Sequence, residues 1–321
     1  MTTRRTLLWT LAGALLAPAA AGAQTAEPAT LRVGAALDDQ SKPIFYAQHA
    51  GLFAKAGLDV QLVTLNGGGA AIAAAVAGGS LDLGKSNTLE LIAAHVRGLP
   101  FTIVGPGAGT GSFDHNGAIV VPAASPIRSA RDLAGKTVGV ISLVTIQSIA
   151  VKAWIDGNGG DAGSVHFLEI SPSATLGALQ QGRVDAASML EPYLTQAVAS
   201  GAMRVLAYPY GSIAPHFEGA SYFTTTDWAA KHVDVLTRFL HVLHDANVYV
   251  AAHETELNDV VAQYAKIDPA VLTRMSHSER PAYVDRVTLQ PLVDAAARYK
   301  FIPAPYNAQE LISPYALKPP R

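Results

Sequence analysis

The residues of this chain that could do chemistry are short polar runs at the ends of apolar stretches. Asp38-Asp39-Gln40-Ser41, Asn66-Gly67-Gly68-Gly69 and Lys85-Ser86-Asn87-Thr88 lie in the first part of the chain. Ser142-Leu143-Val144-Thr145 and Glu191-Pro192 hold similar places further on. Several of these runs open a helix, where free backbone N–H groups can hold an anion or a carbonyl oxygen. Together they are equipment for gripping a small polar molecule. The usual equipment for breaking bonds is not found. There are 10 histidines, but neither H-E-x-x-H nor G-x-S-x-G occurs. His241 and His244 read as ordinary helix surface. Gly105-Pro106-Gly107-Ala108-Gly109-Thr110-Gly111 looks like a nucleotide loop, yet it lacks the G-x-G-x-x-G spacing and a G-K-[ST] end. It reads as a flexible crossover, with His115 beyond it either a contact at a cleft or a surface residue. No catalytic residue, metal or cofactor is expected.

The elements that must position these runs occur twice. Gly79-Ser80-Leu81-Asp82 follows an Ala-rich helical run and precedes Gly98; Gly182-Arg183-Val184-Asp185 follows another and precedes Gly201. The offset from Asp82 to Asp185 is 103 residues, and from Gly34 to Gly139, each ending a strand-like run, it is 105. That period is too long for a solenoid repeat and suits two α/β lobes of like topology. In the first lobe, strands are expected over 30–37, 59–65, 81–85 and 100–104, with helices between. In the second they fall over 136–141, 165–170, 184–188 and 203–207. Alternating strands and helices imply a parallel, doubly wound sheet. Ligands on such sheets sit beyond the carboxyl ends of the strands, where topology gathers the polar tips.

The reading divides the chain into an export signal (1–23), lobe 1 (24–122), lobe 2 (123–208), and a return crossing with C-terminal helices packed mainly on lobe 1 (209–321). Two crossings between the lobes, near Gly117–Ser125 and over Tyr208–Ser221, would form a hinge for closure over a ligand.

The first residues read as a leader. Arg4-Arg5 form a basic start, Leu7–Ala17 is apolar but too short to span a bilayer, and Ala21-Gly22-Ala23 has the small-x-small form of a cleavage site. The arginine pair fits either a general or a twin-arginine export signal. Lys and Arg total 23 against 25 Asp and Glu, a net charge of −2, and loss of the two leader arginines makes it more negative. Such a balance gives no field for nucleic acid. The chain has no cysteine, so it has no disulfide staple and no thiol for a lipid anchor. A soluble, monomeric, exported protein is expected, periplasmic where an outer membrane exists.

Read in order, Phe45-Tyr46-Ala47, Gly51-Leu52-Phe53, Gly57-Leu58-Asp59-Val60, Gly79–Gly84, Ser125-Pro126-Ile127, Asp132–Lys136, Gly182–Ala186 and Glu191-Pro192 make the chain resemble a known family. It is similar to the periplasmic solute receptors of nitrate, sulfonate, taurine and thiamine-precursor ABC importers. The resemblance implies a type II periplasmic-binding-protein (venus-flytrap) fold that hands a small polar or anionic organic molecule to a membrane permease. It also implies ligand contacts from the strand-tip loops: Asp38, Asp39, Gln40, Gly68, Ser86, Asn87, Thr88, Ser142, Val144, Thr145 and Glu191, beside which Lys85 and His115 are candidates. Lys85 stands where small polar residues are common and would pair with an anionic ligand or face solvent. Leu143-Val144 replaces a more polar turn and would suit a ligand with a carbon body. Glu191 reads either as a ligand acceptor or as a helix-start charge favoured by the dipole. An exported sensor and an enzyme of the same fold are the rival classes. The thiamine-pyrimidine enzymes that share the fold use cysteine-rich iron sites, which a chain without cysteine cannot build.

Overall fold

The computed structural model describes residues 27–36, 38–65, 68–191, 193–265, 269–274 and 276–319. The leader 1–23, the turn residues Asn66-Gly67, and Pro192 lie outside the described residues. The first half runs β1 (Ala29–Gly34), a 3-10 turn (Asp39–Ser41), α1 (Lys42–His49), α2 (Leu52–Lys55), β2 (Leu58–Val63), α3 (Gly68–Ala77), β3 (Leu83–Asn87), α4 (Thr88–Val96) and β4 (Phe101–Gly111). The second runs β5 (Gly117–Pro122), β6 (Thr137–Val140), α5 (Ile146–Gly157), β7 (His166–Glu169), α6 (Pro172–Gln180), β8 (Ala186–Leu190), α7 (Tyr193–Ala199) and β9 (Met203–Ala207). The chain then returns through β10 (His216–Thr225) to α8 (Thr226–Lys231), α9 (Val233–Ala252), α10 (Asn258–Ala265), α11 (Pro269–Leu272) and α12 (Arg286–Arg298).

Two five-stranded sheets result, ordered β2-β1-β3-β10-β4 and β7-β6-β8-β5-β9. The orders are the same once β10 and β5 are seen as equivalents. Each sheet has a parallel trio, β2-β1-β3 or β7-β6-β8, and then one strand antiparallel to both its neighbours. The purely parallel sheet expected from alternation is therefore a mixed one. The inserted strand follows a crossing from the other half, so local alternation could not reveal it.

The repeated sequence performs one job twice. Asp82 Oδ2 accepts the Arg32 backbone N–H at 2.8 Å, and Asp185 Oδ2 accepts that of Thr137 at 2.9 Å. Each aspartate thereby ties the start of its strand to the neighbouring strand. Gly79 and Gly182 end the preceding helices with φ of +74° and +68°, a conformation that glycine adopts without a Cβ penalty.

Two segments differ from the reading of the sequence. Gly105–Gly111 is no flexible crossover but the buried second half of β4. Its glycines permit close approach: a Cβ at Gly107 would lie 2.7 Å from the Ala220 carbonyl oxygen, and one at Gly111 would collide with Pro215. The crossings are correspondingly shorter. Gly117–Pro122 pairs in the second sheet and His216–Ser221 in the first, leaving 112–116 and 208–215 to link the sheets.

Phe239, Leu240 and Leu243 of α9 pack with Leu31, Val33 and Val60 of the first sheet. Leu289, Leu292 and Val293 of α12 join Ile72, Leu89 and Phe223, but also Ile146 and Ile149 of α5. The Tyr299 hydroxyl just after α12 donates to Asp156 Oδ2 at 3.0 Å, so the C-terminal segment touches both halves. No helix among the described residues is long and apolar enough to cross a membrane.

Candidate functional site

The carboxyl ends of β1 and β3 lie across from those of β6 and β8, and the 112–116 crossing closes one side. Between them is a cavity of about 100 Å³ lined by Gln40, Asn87, Thr110, Asp114, Asn116, Ile146, Gln147, Leu190, Tyr210 and Gly219. A chamber of about 180 Å³ adjoins it on the second sheet's side, sharing Gln147 and Leu190 and adding Ile141, Pro172, Thr175, Ser188, Met189, Glu191 and Tyr193. A wider outer recess of about 470 Å³ shares Glu191 and brings in His115, Tyr208, Arg274 and Ser276.

Gln147 is the most informative residue here. It is 4 % exposed, and neither its amide nitrogen nor its carbonyl oxygen has a hydrogen-bond partner. Buried polar groups are nearly always paired, so a side chain unpaired at both atoms and lining two adjoining cavities is a candidate to meet a ligand. Ser188, 5 % exposed with an unpartnered hydroxyl, lines the chamber as well. The hinge is held by its own network. Asp114 accepts from the Thr110 hydroxyl at 2.6 Å and from the Asn116 N–H at 2.8 Å. The Asn116 amide reaches Ser278 Oγ at 2.6 Å, and the Asn116 carbonyl accepts the Glu191 N–H at 2.9 Å. Burial pushes the Asp114 and Glu191 carboxyls above the usual carboxylate range, although the hydrogen bonds each accepts act the other way.

The candidates named from sequence divide sharply. Gln40 and Asn87 line the inner cavity, Asn87 also capping α4 by accepting the Leu89 N–H at 3.0 Å. Glu191 lines the chamber while its carboxylate accepts the Thr195 N–H (3.1 Å) and hydroxyl (2.8 Å). The bonds to Thr195 match the helix-start reading of Glu191. His115 is exposed, stacks on Tyr208 at 3.9 Å between ring centroids, and lines only the outer recess. Gly68 opens α3.

The other candidates line neither the inner cavity nor the chamber. Lys85 is buried inside the first half, its Nζ 3.0 Å from Asp38 Oδ1, which also accepts the Ser41 N–H and hydroxyl. Burial lowers the Lys85 pKa, and Asp38 opposes that. The Lys85 side chain is 3 % exposed and committed to Asp38, whose own side chain is 42 % exposed. Asp39 joins Lys42, Glu254, His277 and Arg280 in a buried charge cluster, with Arg280 Nη2 at 2.8 Å and His277 Nδ1 at 2.7 Å from it. Burial pushes the Asp39 carboxyl up, but the Arg280 guanidinium with His277 and Lys42 outweighs it and holds the group well below the usual range. Asp39, Glu254 and His277 could geometrically surround a metal ion, yet Lys42 and Arg280 already compensate the same carboxylates.

Ser86 donates to Glu90 Oε2 at 2.5 Å, and Thr88 is fully buried against Ser221 Oγ at 2.9 Å. Thr145 caps α5, accepting the Ser148 N–H at 3.2 Å. The Ser142 carbonyl accepts from the Ser148 and Thr145 hydroxyls. Val144 lies at a separate groove with α3 and α4 residues such as Ala70 and Glu90. For Asp38, Ser86 and Thr145 the reason is local: hydroxyls and carboxylates at helix starts are the groups most readily consumed by the helix itself.

Gln147, Ser188, Asp114 and Asn116 are among the polar lining residues that sequence reasoning missed. Gln147 left a faint signal, a large amide two residues past the cap of an otherwise apolar helix face. Ser188 left another, a lone hydroxyl in Ala-Ala-Ser-Met-Leu.

The fold has known counterparts. Residues 38–257 match the model of the family described as NMT1/THI5 like. A putative aliphatic sulfonates-binding protein of Bacillus subtilis (strain 168) is 24 % identical over 255 residues, 78 % of this chain and 74 % of that protein. The crystal structure of the periplasmic aliphatic sulphonate binding protein SsuA from Escherichia coli superposes with a TM-score of 0.75 at 20 % identity, covering 92 % of this chain and 95 % of the other. The periplasmic nitrate-binding protein NrtA from Synechocystis PCC 6803 gives a TM-score of 0.69 at 13 % identity over 90 % and 87 % of the two chains. These likenesses establish the two-lobed periplasmic-binding-protein fold, and the family match over more than half its length makes this chain a member of the NMT1/THI5-like family.

Proposed function

We propose that the protein is the solute receptor of an ABC importer. It captures a small organic molecule between its two sheets and delivers it to the membrane permease. The observation that carries this reading is Gln147, buried with both amide atoms unpartnered where the two halves face each other. Gln40 and Asn87 of the first half and Gln147 and Leu190 of the second line one cavity, so a solute held there would bridge the halves. Binding and closure then become one event, with 112–116 and 208–215 as the hinge. The relatives named for sulfonate and nitrate binding support the receptor class. A basic, apolar and then small-residue N-terminus supports export, hence a periplasmic site of action where an outer membrane exists. We take lobe 1 to be 24–116 with β10 and the C-terminal helices, and lobe 2 to be 117–207, acting as a monomer.

The test is solution scattering on three samples: protein as purified natively, protein stripped by denaturation and refolding, and stripped protein given back the small-molecule fraction it released. The stripped sample should have the largest radius of gyration, and restoration should recover the smaller value. Equal radii in all three would exclude a closing receptor.

A further inference from the structure

The lining of the cleft narrows the class of solute, and this step rests on the receptor reading above. We propose that the chamber behind Gln147 takes an uncharged, ring-sized body that presents an amide or lactam edge, rather than a sulfonate or other strong anion.

Three observations carry it. First, Gln147 lacks a partner for a donor and for an acceptor at once. An amide offers N–H donors and a carbonyl acceptor side by side. A solute edge with the complementary pair, C=O beside N–H, satisfies both atoms together. A sulfonate or carboxylate offers only acceptors; it would satisfy the Gln147 nitrogen and set its own charge against the Gln147 oxygen. Second, among the described residues no lysine, arginine or histidine lines the inner cavity or the chamber, whereas the carboxyls of Asp114 and Glu191 do. The nearby cations Lys42, Lys85 and Arg280 each have a carboxylate of Asp38, Asp39 or Glu254 as counter-charge, and Arg280 keeps one unpartnered nitrogen, Nη1, inside that buried cluster. An anion in the chamber would meet the acidic Glu191, while Arg274 and His115 line the adjoining outer recess. Third, the chamber wall beyond Gln147 is apolar, with Ile141, Pro172, Met189, Leu190 and Tyr193, and encloses about 180 Å³. An apolar cavity of about 150 Å³ accommodates benzene, so one ring with a short substituent fits. The Ser188 hydroxyl, buried without a partner in the same chamber, can donate or accept and would read a second polar atom on that ring.

A matched series separates the alternatives because the ring stays constant and only the edge changes. Protein stripped of bound solute is titrated calorimetrically with benzamide, benzoate and benzenesulfonate. Benzamide should bind at least tenfold more tightly than either anion. Gln147→Leu should weaken benzamide more than tenfold while the melting temperature of the stripped protein holds or rises, because an apolar side chain replaces an unpartnered amide. Gln147→Glu keeps the shape, removes the donor and should lose benzamide as well, covering the case in which the leucine variant folds poorly. Benzenesulfonate binding as tightly as benzamide, no binding of benzamide, or indifference to both substitutions would each overturn the proposal. If benzenesulfonate binds and Arg274→Ala abolishes it, the charged group sits in the outer recess beside His115 and Arg274, and the receptor reading survives without the amide assignment. Conversion of benzamide to benzoate in the cell would instead sink the receptor reading itself.

Discussion

Removing the Asp39 carboxylate should unfold much of what ties the N-terminal strand tips to the C-terminal segment. Asp39 touches Arg280 at 2.8 Å, His277 at 2.7 Å and Lys42 at 3.6 Å. The side chains of Lys42 and Arg280 are 0 % and 1 % exposed. In Asp39→Ala these two buried cations share one remaining carboxylate, Glu254, at 2.5 and 2.9 Å. Breaking a buried pair by deleting one partner costs about 3–5 kcal/mol, because the other charge is left uncompensated. For a chain of this size that corresponds to a fall in Tm of about 10 °C. Urea unfolding followed by tryptophan fluorescence at pH 7 measures it. The pH dependence has a definite sign. Asp39 is held below its ordinary pKa, so the unfolded chain takes up its proton first as pH falls. The stabilisation is complete above the unfolded value of about 3.9 and is lost as pH drops through the lower folded value. The gap between wild type and Asp39→Asn should therefore be constant from pH 7 to 5 and shrink below pH 4. A loss under about 1 kcal/mol for Asp39→Ala at pH 7, against the 3–5 expected for a buried pair, would refute the view that this cluster is structural.

Lys85→Met keeps the chain length, and Asp38 retains both Ser41 hydrogen bonds; solute affinity should stay within about twofold, less than a typical neutral hydrogen bond contributes, and a tenfold loss by titration would return Lys85 to the site. Thr145→Val removes the cap on α5 and should lower the stability of the solute-free protein by about 1 kcal/mol with affinity unchanged, the reverse of what a ligand contact would show. Glu218 is buried in β10 with the Gly107 N–H 3.0 Å from Oε1, and burial pushes its pKa well up. The native state thus keeps a proton that the unfolded chain releases above about pH 4.3, and wild type loses stability as pH rises from there towards the folded value. Glu218→Gln retains the acceptor and should gain on wild type in urea melts at pH 8 relative to pH 5; parallel curves would show that Glu218 is not protonated.

The architecture was legible wherever it was local. Gly79–Asp82 and Gly182–Asp185 announce two like lobes, and both aspartates make the same bond. What sequence could not show was set by distant pairing. Gly105–Gly111 reads as a loop because its glycines make room for β10, a strand over 100 residues away in the chain. The same limit governed the site. The strand tips are legible, but Asp38, Ser86 and Thr145 carry hydrogen-bonding groups that their own turns consume, and Thr88 turns its hydroxyl to Ser221 of β10, a partner the local sequence does not show. Lys85 looked free because its partner Asp38 lies on another strand tip. Gln147 reads as core, because a buried amide in an apolar helix is marked as a site only by its lack of a partner among the described residues.

The central claim, that a solute is held unchanged between the sheets at Gln40, Asn87 and Gln147, is tested most directly by native mass spectrometry of protein expressed and exported in its own cell. Wild type should carry one small molecule per chain, released intact on denaturation, and the Gln40→Ala/Asn87→Ala/Gln147→Leu variant should be folded and empty. Equal occupancy in the variant, or a wild-type protein with nothing bound in any growth condition that induces it, would contradict the account.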